Sequence, residues 1–134
     1  MNGTEERTIP GNALTMSDEL PYGSLQKFGL AFTSRLEGVQ FPCKILEKLT
    51  IVDTPGVLSG ETQRVDRGYD FVAVSTFFAE RSDLIILLFD GHKLDISDEF
   101  KKVMQAIRGN EDKVRVILNK ADAVSTFHFL ASML

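Results

Sequence analysis

Two short polar clusters sit directly behind apolar runs. Leu49-Thr50-Ile51-Val52 leads into Asp53-Thr54-Pro55-Gly56, and Val114-Arg115-Val116-Ile117-Leu118 leads into Asn119-Lys120-Ala121-Asp122. In the first cluster the Asp53 carboxylate is a hard oxygen donor suited to Mg²⁺, directly or through water. Gly56, three residues on, has no side chain, so its backbone N–H can approach a terminal phosphate closely. In the second cluster the Asp122 carboxylate can accept two N–H bonds from a guanine edge. The Asn119 amide can join loops through hydrogen bonds, and the Lys120 stem can lie along a base and its sugar. Taken singly, each cluster also reads as a turn, since Pro, Gly, Asn and Asp are common turn residues. Both together, each behind an apolar run and with a third run between them, favour a single nucleotide site with Asp53 at the metal and phosphate end and Asp122 at the base end.

Such residues need strands that end at them. Leu49 to Val52, Leu84 to Phe89 and Lys113 to Leu118 have the apolar content of strands. The run Leu84-Ile85-Ile86-Leu87-Leu88-Phe89 has no polar interruption, which predicts a strand buried on both faces of a parallel sheet. Between the strands lie helical patterns. Tyr69 to Arg81 is expected to be a helix needing cover on more than one side, because Phe71, Val72, Val74, Phe77 and Phe78 spread around it. Phe100, Val103, Met104 and Ile107 form an i, i+3, i+4, i+7 stripe, with Asp98 and Glu99 near the positive helix end and Gly109 offering a stop. Upstream, Leu25, Phe28, Phe32 and Leu36 fall on one stripe of a helix from Ser24 to Gly38, which Gly29 weakens slightly. Pro10-Gly11-Asn12 and Pro21-Tyr22-Gly23 read as turns. Strand and helix alternate, which is an α/β pattern with right-handed crossovers. In open sheets of that kind ligands gather beyond the carboxyl ends of the strands, where Asp53, Asp90 and Asn119 stand.

Composition narrows the classes. The 134 residues suit one domain, with 43% hydrophobic and 25% charged residues. A net charge of -4 argues against a nucleic-acid-coating surface. The single cysteine, Cys43, has no internal partner for a disulfide, which fits a reducing compartment. The longest apolar run, Leu84 to Phe89, is far short of the roughly 20 residues that cross a bilayer. Met1 to Arg7 is polar and acidic, unlike a secretory signal. The loop from Asp53 to Arg67 is long for a simple connection, which favours a functional role. His92 reads as a loop residue. Asp95, Asp98 and Glu99 read as charges favouring a helix end over a metal cluster. His128 has no assigned role.

Several stretches go beyond a generic nucleotide hydrolase. Asp53 to Glu61, Gln63-Arg64, Arg67-Gly68-Tyr69-Asp70-Phe71 and Phe78-Ala79-Glu80-Arg81 resemble the EH-domain-containing (EHD) family. Ile85 to Asp90, His92 to Phe100 and Asn119-Lys120-Ala121-Asp122 continue the resemblance, as do Pro10 to Leu14 and Phe28-Gly29 with Ala31-Phe32 upstream. It covers residues 9–124, the middle part of that family's G-domain. The resemblance implies a dynamin-related ATPase with a GTPase-like layout. It also implies slow hydrolysis of ATP with Mg²⁺, peripheral binding to endosomal or plasma membranes from the cytoplasm, oligomerisation through the G-domain and remodelling of membranes in endocytic recycling. By resemblance Asp53 assists Mg²⁺, Gly56 senses the γ-phosphate, and Asn119, Lys120 and Asp122 line the base pocket. Adenine against guanine stays open. Val57 occupies the place of the catalytic Gln of small GTPases, so no side chain there would orient water.

No G-x-x-x-x-G-K-[ST] stretch occurs in the 134 residues. The fold class expected is therefore a partial P-loop NTPase of dynamin type, a mostly parallel sheet flanked by helices but lacking the first strand and the P-loop. Residues 1–8 are expected to be disordered, 9–124 to form the partial G-domain and 125–134 to be a divergent tail. The chain reads as a fragment, a truncated isoform or an incomplete gene model. Without the first strand, the strands ending at Asp53 and Asp90 either face a gap or pair with each other. Losing even three charged hydrogen bonds of about 1.5–3 kcal/mol each would take a micromolar site into the millimolar range or beyond, so the chain alone is expected to be inactive. The alternative is a non-enzymatic module that associates with full-length EHD-type partners. A phospho-receiver, with Asp53 as acceptor and Lys120 as the strand-end lysine, lacks the acidic pair after a first strand and leaves Asp122 without a purpose.

Overall fold

The structure is a computed structural model that describes residues 1–57, 67–91 and 96–123. Two compact units divide the chain, one of Met1–Gly56 with Glu61–Phe71, the other of Val57–Gly60 with Val72–Leu134.

In the first unit, β1 (Arg7–Pro10) pairs antiparallel with β2 (Glu37–Gln40), Arg7 opposite Gln40 and Pro10 opposite Glu37. Pro10 has no N–H to donate, and the strand gives way at once to α1 (Gly11–Met16) with Pro10 as the extended N-cap. The Pro10-Gly11-Asn12 stretch is thus a strand-to-helix junction and not a free turn. Gly11 is required by packing: a Cβ there would stand 2.3 Å from the Thr33 carbonyl oxygen and 2.6 Å from Leu36 Cβ. Residues 1–8, expected to be disordered, carry backbone contacts. The Met1 amino group donates to the Val39 carbonyl at 3.0 Å, and Phe41 N–H donates to the Met1 carbonyl at 3.1 Å.

The single helix expected from Ser24 to Gly38 does not form. A 3₁₀ segment spans Gly23–Phe28, a short α2 spans Leu30–Thr33, and Gly38 lies within β2. The break is at Gly29, whose φ of +81° is incompatible with a continuing right-handed helix. The stripe nonetheless marks the inner side. Leu25 and Phe32 are buried, and Phe32 meets Phe28 and Tyr69 edge-on at 5.6 and 5.3 Å between ring centroids. Another 3₁₀ turn covers Lys44–Glu47.

Residues 49–57 carry no regular secondary structure, and Leu49, Ile51 and Val52 are exposed. The strand expected at Leu49 to Val52 is absent because apolar composition alone does not make a strand. A ladder partner is needed, and among the described residues β3 takes β4 instead.

The second unit contains α3 (Phe71–Arg81) from Val72 onward, β3 (Ile85–Asp90), α4 (Asp98–Ala106) and β4 (Val114–Asn119). Val74 and Phe77 are buried along α3, while Val72 and Phe78 are half-buried, so the spread of apolar residues is only partly covered. In α4 the Ser97 hydroxyl accepts from Phe100 N–H at 3.2 Å as the N-cap, with Asp98 and Glu99 in the first turn. The chain turns away at Gly109, φ +90°. The Glu111 carboxylate accepts from Gly109 N–H at 2.8 Å, which together with Glu111's own backbone N–H holds its pKa below the ordinary carboxylate value.

β3 and β4 pair in parallel, Ile85 with Val114 through Asp90 with Asn119. Phe89 meets the Phe100 ring of α4 edge-on at 5.3 Å, which covers part of one sheet face. On the other face Ile86 and Leu88 are 54% and 64% exposed, so the prediction of a strand buried on both sides fails. The expected mostly parallel sheet is replaced, among the described residues, by one parallel and one antiparallel pair. No helix among them is long and apolar enough to cross a membrane.

Candidate functional site

The parallel register of β3 and β4 sets Asp90 beside Asn119 at the carboxyl ends of both strands. Gly91 N–H donates to the Asn119 carbonyl at 2.9 Å, extending the ladder by one bond. The chain then turns sharply at Lys120, whose φ of +57° is a left-handed conformation uncommon for a residue with a Cβ. Two contacts hold it. Lys120 N–H donates to Asn119 Oδ1 at 3.0 Å, and Lys120 Nζ lies 2.6 Å from Asp90 Oδ2. A 3₁₀ turn, Ala121–Ala123, follows and carries Asp122, which is exposed.

Three of the five predicted residues, Asn119, Lys120 and Asp122, therefore stand together at one sheet end. Asn119 closes its own turn with its side-chain oxygen. The Lys120 ammonium is tied to Asp90, which leaves its methylene stem as the apolar surface of the turn. The Asp122 carboxylate faces solvent and can accept hydrogen bonds from an incoming edge. Asp90 was placed behind a strand by the sequence but given no function. The signal was an acid at one strand end and a lysine at the next, legible only once those strands are neighbours.

Asp53 and Gly56 belong to the first unit and lie on the exposed segment 49–57. Gly56 has no positive φ, and among the described residues nothing lies within 4 Å of a Cβ built on it. Neither backbone strain nor packing thus requires glycine there. The Gly56 carbonyl accepts from Arg67 Nη2 at 2.6 Å. Asp53 stands without a cluster: no group of three or more His, Cys, Asp or Glu gathers among the described residues. One carboxylate completed by water and phosphate oxygens is a fitting donor set for Mg²⁺, which is rarely held by protein ligands alone. Val57 is exposed. His92, Asp95 and most of the family-like His92 to Phe100 stretch, the loop from Leu58 to Asp66 and the tail from Ser125 fall outside the described residues.

Clefts in the two units are lined elsewhere, one by Pro10–Asn12 and Leu30–Glu37, the other by the end of α4 and the start of β4.

Comparison with known proteins bears out the family resemblance. Residues 12–121 match the dynamin family. EH domain-containing protein 2 of Arabidopsis thaliana is 57% identical over 126 residues, covering 94% of this chain and 23% of that protein. Human EH domain-containing protein 2 is likewise 57% identical over 126 residues, at the same coverage. EH domain-containing protein 1 of Bos taurus is 55% identical over 126 residues, covering 94% of this chain and 24% of that protein. The chain spans about a quarter of the length of these curated relatives. The chain belongs to the dynamin family, and what it resembles within that family is the G-domain of the EH domain-containing proteins.

Proposed function

We propose that this chain takes part in nucleotide binding, with Asp53 and Gly56 suited to Mg²⁺ and phosphate and Asn119, Lys120 and Asp122 suited to the base. The observation that carries the reading is the turn at the carboxyl ends of β3 and β4, where a left-handed Lys120 is held by Asn119 and Asp90. A backbone conformation that costs energy and is held by two side chains is a common mark of a binding loop. That no described residue lies within 4 Å of a Cβ built on Gly56 supports the phosphate end, since none of them makes a demand for glycine there. Bound with ATP or GTP, Mg²⁺ would neutralise phosphate charge; the Asp53 carboxylate would orient its water shell and the Gly56 N–H would donate to the terminal phosphate.

In the parent protein this domain would hydrolyse ATP slowly and act in endocytic membrane trafficking and remodelling. It would work from the cytoplasm, peripheral to endosomal or plasma membranes, and oligomerise through the G-domain. The 134 residues alone, with no glycine-rich lysine loop among them, bind nucleotide weakly and do not turn it over. Calorimetry with Mg²⁺·ATP and Mg²⁺·GTP tests this: neither should bind with micromolar affinity, and micromolar binding would overturn it.

A second reading is association with a full-length EH domain-containing partner, which the exposed Ile86 and Leu88 on one sheet face favour. Sedimentation with such a partner should then show a complex that Leu88→Lys weakens. No complex at high micromolar concentration would remove this reading.

A further inference from the structure

Arg67 stands in the sequence only as part of a family-like stretch, yet its surroundings single it out. It is 6% exposed. Its guanidinium lies 4.1 Å from the centroid of the Phe71 ring, and its Nη2 donates to the Gly56 carbonyl at 2.6 Å. The carbonyl of Arg67 in turn accepts from Arg35 Nη1 at 2.6 Å. All four residues belong to the first unit. Among the described residues, 49–57 have no ladder partner, and the hydrogen bond from Arg67 ties Gly56 to another part of its unit.

The geometry points to Arg67 as a positioning residue that sets the conformation of Gly56 and so prepares its N–H for phosphate. Glycine has the widest backbone freedom of any residue. Pinning its carbonyl limits rotation about its own Cα, so fewer conformations must be given up when a ligand arrives. A guanidinium suits the task because its plane can stack on an aromatic ring while its edge donates; an ammonium, a point charge, cannot do both in the same way. Arg35 fixes the other end of the link by holding the Arg67 backbone. The phosphate part of the inference rests on the nucleotide reading above; the ordering of Gly56 does not.

¹⁵N relaxation of the full chain separates the two. Without nucleotide, the Gly56 amide should have an order parameter near the rigid-backbone value of about 0.85, falling below about 0.6 in Arg67→Met, which keeps an apolar stem but no donor. The Leu25 amide, bonded to the Tyr22 carbonyl in the same unit, should not change. An unchanged Gly56 in folded Arg67→Met overturns the inference. Should that variant fail to fold, Arg35→Gln at an exposed position decides. A fall at Gly56 alone supports the link, and no fall overturns it. Titration with Mg²⁺·ATP follows. A Gly56 shift in the parent whose midpoint needs several-fold more nucleotide in Arg67→Met supports the phosphate role. A Gly56 midpoint that is the same in Arg67→Met as in the parent overturns that role. No shift at Gly56 or Lys120 in the parent overturns the nucleotide reading, and the order parameters alone then judge the tie.

Discussion

Lys120 adopts a left-handed backbone conformation, and the contacts around it show why the turn persists. The Asn119 side chain satisfies its N–H, and Asp90 takes its ammonium. Both charged groups are partly exposed, so the ion pair is in the class of surface pairs worth about 0.2–1 kcal/mol. We expect a double-mutant cycle of Asp90→Asn and Lys120→Met, read by urea unfolding, to give a coupling energy within that range. A coupling of several kcal/mol would mean the pair is far more buried than it is here. At this scale the sequence singled out Asn119, Lys120 and Asp122 but not their partners. Asn119, Lys120 and Asp122 were legible because the residue types and their place behind an apolar run are local properties. The Asp90–Lys120 pair and the Arg67–Gly56 bond were not, because each joins residues many positions apart.

Helix α4 shows what local pattern can deliver. Its apolar stripe, first-turn acids and terminal glycine all appear in place, and the Ser97 cap accounts for its start. Ser97→Ala should cost about 1 kcal/mol, the usual value for losing a hydroxyl cap; chemical denaturation would measure it. At the far end the Glu111 carboxylate is stabilised as the anion, chiefly by Gly109 N–H. A depressed folded-state pKa means its contribution is complete above the ordinary carboxylate value and is lost as pH falls through the lowered one. The Gly109 amide resonance should titrate at that lowered pKa, and Glu111→Gln should abolish the titration. The first unit shows where pattern misleads. Gly29 looked like a minor propensity defect in one helix, whereas its positive φ ends the helical path. β1 and β2 escaped notice because Arg-Thr-Ile-Pro and Glu-Gly-Val-Gln carry little strand character and pair across nearly thirty residues of chain. Gly11→Ala should destabilise this unit by about 1–3 kcal/mol, since the clash is with the Thr33 carbonyl and the side chain cannot simply rotate away. Thermal unfolding would register it.

For the whole molecule, the α/β alternation was readable but the sheet was not. Helix α3, strands β3 and β4 and their parallel pairing follow from periodicity and from the rule that parallel neighbours are joined by a crossover. Whether Leu49 to Val52 becomes a strand depends on a ladder partner, which its own residues cannot specify. The outcome is a segment bearing Asp53 and Gly56 that is apolar at its start yet has no ladder partner among the described residues, and a β3 face that leaves Ile86 and Leu88 open to water. Exposed apolar side chains of that kind favour self-association. Leu88→Lys should leave stability within about 0.5 kcal/mol and lower self-association in sedimentation experiments. A large loss of stability would mean this face is covered in solution.

The central proposal is that the Asp53-Thr54-Pro55-Gly56 and Asn119-Lys120-Ala121-Asp122 segments each respond to nucleotide, the first suited to Mg²⁺ and phosphate and the second to a base. An NMR titration of the chain with Mg²⁺·ATP and Mg²⁺·GTP tests it most directly. The proposal predicts that the Gly56 amide and those of Asn119, Lys120 and Asp122 all shift with nucleotide, weakly, in the millimolar range or beyond, and that Asp122→Asn weakens the response at its own segment. No shift at either segment, or shifts confined to other residues, would contradict it.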